Sequence, residues 1–483
     1  MNNNTVLTAD MIHSRVEQLR TDSPWLEEYQ LEAILCTELD IDPAATPDQY
    51  VLLEAALRNT RNEKAPSTTM VAGRQYTTIT EDTSGKFGAY EAVNKGASQR
   101  RDIATRALYT LSENAASGER SSAVLEKARI SISRNIKQEM SRVGFTLSLF
   151  MILSVVLSFL IVAAFTLFTY SSSTIGQFRL SEVDSFISHP QTMALMHAGI
   201  TLLCLAVPFV VYVLAHKLPV HEMIPLHKLR QGEFFPMFFV GLGVLVLDGC
   251  LVNYLNLLLG VGSSGYSNLT SVRGAFYSFD AISMGTSAFE VLSTIVCLGI
   301  IPALIETFVF NGVILQVLRR RGGDSFALLM SSLLFALSTT NFVEMIGSFI
   351  SCMLLGYMVI YSGSLIPAVS ARLAERLLFV VITQFGFLMS NSTSINFIHY
   401  IDCLLTILIL LAAVFFARIM FQRFPEMFVL KKSDPCLTLG QKVRISLTRI
   451  PVIVLMVICL LFSLIQLIPL ENLPAYASNM ING

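Results

Sequence analysis

The sequence predicts an all-α fold, a polytopic bundle of about nine transmembrane helices behind a helical N-terminal cytoplasmic region. Three observations predict it. Hydrophobic residues make up 53% of the 483 and charged residues only 14%, with a mean hydropathy of +0.60, a composition that a water-facing surface does not tolerate. The charge is segregated: residues 1–142 are polar, and the rest is a series of apolar runs with short polar breaks. Most of those runs approach or exceed the roughly 20 residues a helix needs to cross a bilayer.

The N-terminus, MNNNTVLTADMIHSRVEQLR, has no apolar core and does not read as a signal peptide. Segments 9–20, 24–38 and 47–60 show helical periodicity, with Thr46 or Asp48 as the cap of the third. Residues 61–98, rich in Thr, Ser, Gly and Lys, read as a flexible linker. Residues 99–142 read as helix leading to the bilayer, closing a cytoplasmic region of 1–142. The transmembrane domain is expected over 143–470, with spans near 144–170, 194–216, 236–260, 288–318, 325–342, 345–362, 367–390, 402–420 and 450–470. Boundaries are least distinct over 325–390, and 471–483 form a short tail.

Basic residues orient the spans, because cytoplasmic loops retain Lys and Arg. Lys127, Arg129, Arg134, Lys137 and Arg142 precede the first span; Lys217, Lys228 and Arg230 follow the second; Arg319, Arg320 and Arg321 follow the fourth. Arg423, Lys431, Lys432, Lys442, Arg444 and Arg449 follow the eighth, while the alternate loops carry Arg179, Arg273 or none. The expectation is a multi-pass protein of a bacterial-type plasma membrane, N-terminus cytoplasmic and C-terminus outside. The lipid bilayer is its first partner.

A net charge of −1 excludes a global basic field, so nucleic acid is not expected as a partner. Eight cysteines without a C-x-x-C read as small buried residues rather than a disulfide or zinc framework. HEMIPLH at 221–227 mimics a zinc motif, but its spacing is wrong and Pro225 interrupts it; a loop is the better reading. No metal and no cofactor is expected. The Asn268 sequon reads as chance, and Glu344 and Asp402 as solvated span ends. Asp248, inside the third span, is either a packed structural acid or an ion or proton site. Ser331, Ser332, Ser338, Thr339 and Thr340 read as small helix-packing residues.

The most informative stretch is ALIETFVFNGVILQVLRRR, with F-x-F-x-G-V-I-L-Q-x-L-R-R-R, then S-S-L-L-F-A-L, L-L-G-Y and G-S-L-I-P-A further on. Over 300–376 it resembles the CPBP family, the CaaX-processing and bacteriocin-processing intramembrane proteases, with a weaker likeness back to 221–244. The resemblance implies an intramembrane site built from three motifs: Glu-Glu-x-x-x-Arg, Phe-x-x-x-His and His-x-x-x-Asn. The first Glu and the motif His would activate water, and the third motif would stabilise the oxyanion. Here Glu306 matches, but the second Glu is Thr307 and the Arg is Asn311. Phe335 matches, but its His is Thr339; the third motif's His and Asn are Arg372 and Arg376. No histidine lies between 228 and 398. Thr307 and Asn311 replace, as a pair, what the family has as a buried Glu and Arg, so neither replacement strands a charge.

The resemblance therefore implies a catalytically inactive pseudoprotease, a membrane scaffold holding an unidentified membrane protein or peptide, with Glu306 a vestigial catalytic position. Two rivals are an endopeptidase with an altered site around Glu306 and a transporter or channel component; no internal repeat favours the last. Glu306 is expected either to pair with Arg372 and Arg376, which are four apart and share a helix face, or to stand alone while those arginines snorkel to the interface.

Overall fold

The computed structural model describes residues 8–23, 26–41, 46–62, 104, 106–112, 122–172, 190–218, 220–226, 229, 232–259, 287–339, 342–388, 395–423 and 436–466. Among them the structure is helical, apart from turns and one isolated bridge between Leu226 and Ser364. The tail at 471–483, Asn268 and the linker beyond residue 62 lie outside the described residues. The chain divides into two compact units, Met1–Ile136 with Lys432–Ile445, and Lys137–Lys431 with Ser446–Gly483.

In the first unit, helices Ala9–Asp22, Glu28–Glu38 and Pro47–Asn62 bury Ile12, Val16, Leu31, Leu35, Leu53 and Leu57. The second helix starts four residues later than periodicity suggests, because Glu27 and Gln30 form a reciprocal capping box there. Residues 61 and 62 are helical rather than linker. The early part of helix Ser122–Ser172 contributes Val124, Ala128, Ile132 and Ile136, all 0% exposed at a four-residue spacing that lines one helix face. Lys127 on that helix bridges Glu54 at 3.2 Å and Glu32 at 3.6 Å, and donates to the Tyr50 hydroxyl at 2.9 Å. Tyr50 in turn donates to Glu32. Burial pushes the Glu32 carboxyl up and the Tyr50 phenol to about 12. The hydrogen bond from Lys127 holds Glu54 below the ordinary carboxylate value.

In the second unit a helix covers each of the nine expected spans. Six are long and apolar enough to cross a membrane, or seven if the bent pair Leu439–Leu447 and Ile450–Leu461 counts as one. Asp324–Ser338 has 15 residues, about 22 Å at 1.5 Å per residue, against a hydrocarbon core of about 30 Å. Ile366–Leu388 is long enough but carries Arg372, Glu375 and Arg376. Asp402 is not at a solvated end: its helix runs Ile395–Arg423, and the side chain is 1% exposed.

Helix Phe234–Leu259 packs against three others, Phe342–Ser362, Ile366–Leu388 and Ile395–Arg423. Two further helices, 190–215 and Ala288–Gly322, change to the wider π-helical turn at Ile200–Ala206 and Ile295–Ile300. Each change lies just before a proline, Pro208 or Pro302. Proline lacks an N–H and its ring crowds the carbonyl one turn back, and the wider turn relieves both.

The three arginines that end helix Ala288–Gly322 are not a free basic patch. Arg319 pairs with Asp324 at 2.6 Å, Arg320 with Glu222, and Arg321 with the buried Glu139 at 3.8 Å. Glu139 also accepts from Tyr212 at 3.1 Å and from Arg142 at 3.2 Å. The zinc-like HEMIPL segment thus has a structural role: Glu222 takes Arg320, and the Pro225 carbonyl accepts from Leu365 N–H at 2.7 Å.

Candidate functional site

Glu306 lies mid-way along helix Ala288–Gly322, at the junction between α-helix and the π-helical turn Thr307–Ile314. It is the one charged residue between Glu290 and Arg319. Its carboxylate does not stand alone. Arg376 Nη2 donates to Oε2 at 3.0 Å and lies 3.4 Å from Oε1, and Arg372 Nη2 is 3.5 Å from Oε2. Both arginines project from one face of helix Ile366–Leu388, one turn apart. Their side chains are 7% and 6% exposed, so they do not snorkel. Glu306 is the more open member at 18%. The Arg372 guanidinium also covers the Phe335 ring at 5.3 Å, and Phe335 meets Phe310 edge-on at 4.7 Å. Glu375, 2% exposed, is 3.9 Å from Arg376. A buried ionic cluster survives only when its members compensate one another, and these residues do.

The remaining family positions face backbone. Thr307 donates to the Ala303 carbonyl at 2.7 Å, satisfied within its own helix. Asn311 reaches across to helix Phe342–Ser362, donating to the Cys352 carbonyl at 3.2 Å with Cys352 Sγ at 3.7 Å. Thr339 caps its own helix by donating to Ala336 O at 2.6 Å. Ser331 and Ser332, both 0% exposed, donate to Leu328 O. The structure therefore gathers Glu306, Arg372, Arg376 and Phe335 at one place, with Asn311 tied to Cys352 beside them and Thr339 one turn beyond Phe335. Among the described residues no three His, Cys, Asp or Glu side chains converge as a metal-ligand set.

Several neighbours escape a reading of the matched segment alone. His197 is on helix 190–215, whose Ala194 and Ala198 pack against Phe379 and Val380 of the helix carrying Arg376. Asp248, 5% exposed, comes from helix Phe234–Leu259. The one available signal is that ionisable residues within apolar runs seek one another; sequence does not say which runs are adjacent.

A helical-bundle membrane protein with an acid–arginine cluster inside its bundle is the class that fold and site define. Residues 288–378 match the family model described as Rce1-like, type II CAAX prenyl endopeptidase, and so carry a domain of that kind. This region contains Glu306, Thr307, Asn311, Thr339, Arg372 and Arg376. No curated protein and no solved structure matches the chain.

Proposed function

We propose that the protein is a non-cleaving member of the CAAX-endopeptidase-like membrane proteins, which holds a membrane protein or peptide at its intramembrane site as a scaffold. The observation that carries this reading is the double contact of Glu306 with Arg376 and Arg372. A carboxylate that activates water needs an open lone pair and a base-competent setting. One engaged by two guanidinium groups is a counter-ion. The positions where the family has its other polar groups support the same reading, since Thr307, Asn311 and Thr339 are engaged by backbone carbonyls. The decisive experiment uses the purified chain in liposomes with a prenylated CAAX peptide, beside a Glu306→Ala control. The expected result is equal, background cleavage in both; Glu306-dependent cleavage overturns the reading.

One observation favours the alternative of an endopeptidase with an altered site: Ala194 and Ala198, which flank His197, pack on Phe379 and Val380 of the helix that carries Arg376, so a helix from outside the matched segment brings a histidine to that helix. Its signature in the same assay is cleavage lost in both Glu306→Ala and His197→Ala.

A further inference from the structure

Glu139 is where three helices meet at the membrane boundary. Its Oε1 faces Arg142 Nη1 at 3.2 Å and Arg321 Nε at 3.8 Å, and its Oε2 accepts from the Tyr212 hydroxyl at 3.1 Å. Arg142 is the last charged residue of helix Ser122–Ser172, just before its apolar run, and Arg321 is the last of helix Ala288–Gly322, just after its own. Arg319 and Arg320 each have an acid of their own, Asp324 and Glu222, whereas Arg142 and Arg321 share one. Two guanidinium groups on a single carboxylate oxygen repel each other, and the one carboxylate offsets one charge. Arg142 hydrogen-bonds it through Nη1 alone, and both arginine side chains are one third exposed. Two planar forks side by side match the oxygens of a phosphate group.

The surface that continues from Arg142 is apolar and open. Phe145, Ile152, Val156 and Phe159 follow it at three- and four-residue multiples along one face of the helix, and all are exposed. A free anion makes no use of such a face, whereas an acyl chain lies along it. A zwitterionic headgroup brings its own cation to the arginines; an anionic one leaves the phosphate charge to them. We propose that Arg142 and Arg321 bind the phosphate of an anionic phospholipid, with an acyl chain on the face from Phe145 to Phe159. The site lies fifteen residues along the helix from Glu306 and does not depend on whether that cluster cleaves or holds a peptide.

The test uses the full-length chain in nanodiscs of phosphatidylcholine, alone or mixed with phosphatidylglycerol, and reads the melting temperature. Phosphatidylglycerol is expected to raise the melting temperature of the native chain, and Arg142→Gln to lose most of that shift. Arg134→Gln, at an exposed arginine two turns earlier on the same helix, keeps it. Arg142→Lys retains a charge for Glu139 without the fork and loses part of the shift; it carries the comparison where Arg142→Gln does not fold. Inorganic phosphate added to phosphatidylcholine discs gives no shift. The proposal is overturned by no shift in the native chain, by a full shift in the Arg142 variants, by an equal loss in Arg134→Gln, or by inorganic phosphate matching phosphatidylglycerol.

Discussion

At the scale of single residues, the charges inside the bundle obey one constraint: an ion away from water survives only with a partner. Glu306 meets it through Arg376 and Arg372. Removing one member of a buried pair typically costs about 3–5 kcal/mol, because the survivor is left uncompensated. Glu306→Gln is therefore expected to destabilise the fold by that order, and Glu306→Gln with Arg376→Gln to recover part of it. Chemical denaturation in detergent checks both; equal stability of Glu306→Gln and the native chain contradicts the ion-pair account. In the first unit the same logic sets a pH dependence. The Glu54 carboxyl is held below its ordinary value of 4.5 by Lys127. A depressed folded pKa gives stability that is present above 4.5 and lost as pH falls through the folded value. Glu54→Gln should lower hydrogen-exchange protection in helix Pro47–Asn62 at pH near 7 (a neutral reference), and the deficit should vanish on acidification. Glu32, raised by burial, works with the opposite sign, favouring the fold at low pH and less so as pH rises above 4.5.

At the scale of elements, small residues fix where helices touch. Helix Phe234–Leu259 approaches helix Ile395–Arg423 so closely at Gly243 that a Cβ there would lie 2.2 Å from the Ala413 Cβ. Gly243→Ala should therefore push the two helices apart, at a cost of about 1–3 kcal/mol. Gly199→Ala is the control: a Cβ there meets nothing within 4 Å, and alanine favours helix by about 0.5–1 kcal/mol. Melting of the two variants side by side separates packing from propensity; equal effects contradict the close approach. The π-helical turns are also element-scale features. Thr307–Ile314 carries Thr307 toward its own backbone and Asn311 toward Cys352, so this turn joins its helix to Phe342–Ser362.

At the scale of the whole molecule, the expected topology follows from basic loops. Seven or nine crossings put the termini on opposite sides, whereas six put them on the same side. Asp10→Cys and Ser478→Cys, each in a chain with its native cysteines replaced, distinguish these cases in intact cells. The expected result is protection at 10 and labelling at 478 by a membrane-impermeant maleimide. Labelling at 10, or the same outcome at both, contradicts the assignment. Two of the helices that fall short of a simple span, Asp324–Ser338 by length and Ile366–Leu388 by charge, carry Phe335 and the two arginines that meet Glu306. A site of ions inside a bundle requires such helices, since charges shielded by others need not face lipid.

What the sequence determined by itself is what local physics encodes. Apolar runs of sufficient length make helices, and each expected span lies on one. Two arginines four apart share a face, so a single acid at comparable depth was a partner that charge alone suggested for them. What tertiary structure decided is adjacency. That Arg376 is the nearer of the two to Glu306, that Arg372 covers Phe335, that Asn311 meets Cys352 and that Asp248 rests on Gly347 are contacts between residues 37 to 99 positions apart. Asp402 shows the limit most plainly, expected in water at a helix end and found buried seven residues into its helix. Helical periodicity specifies which face a residue occupies, and only the packing of several helices together specifies what that face meets.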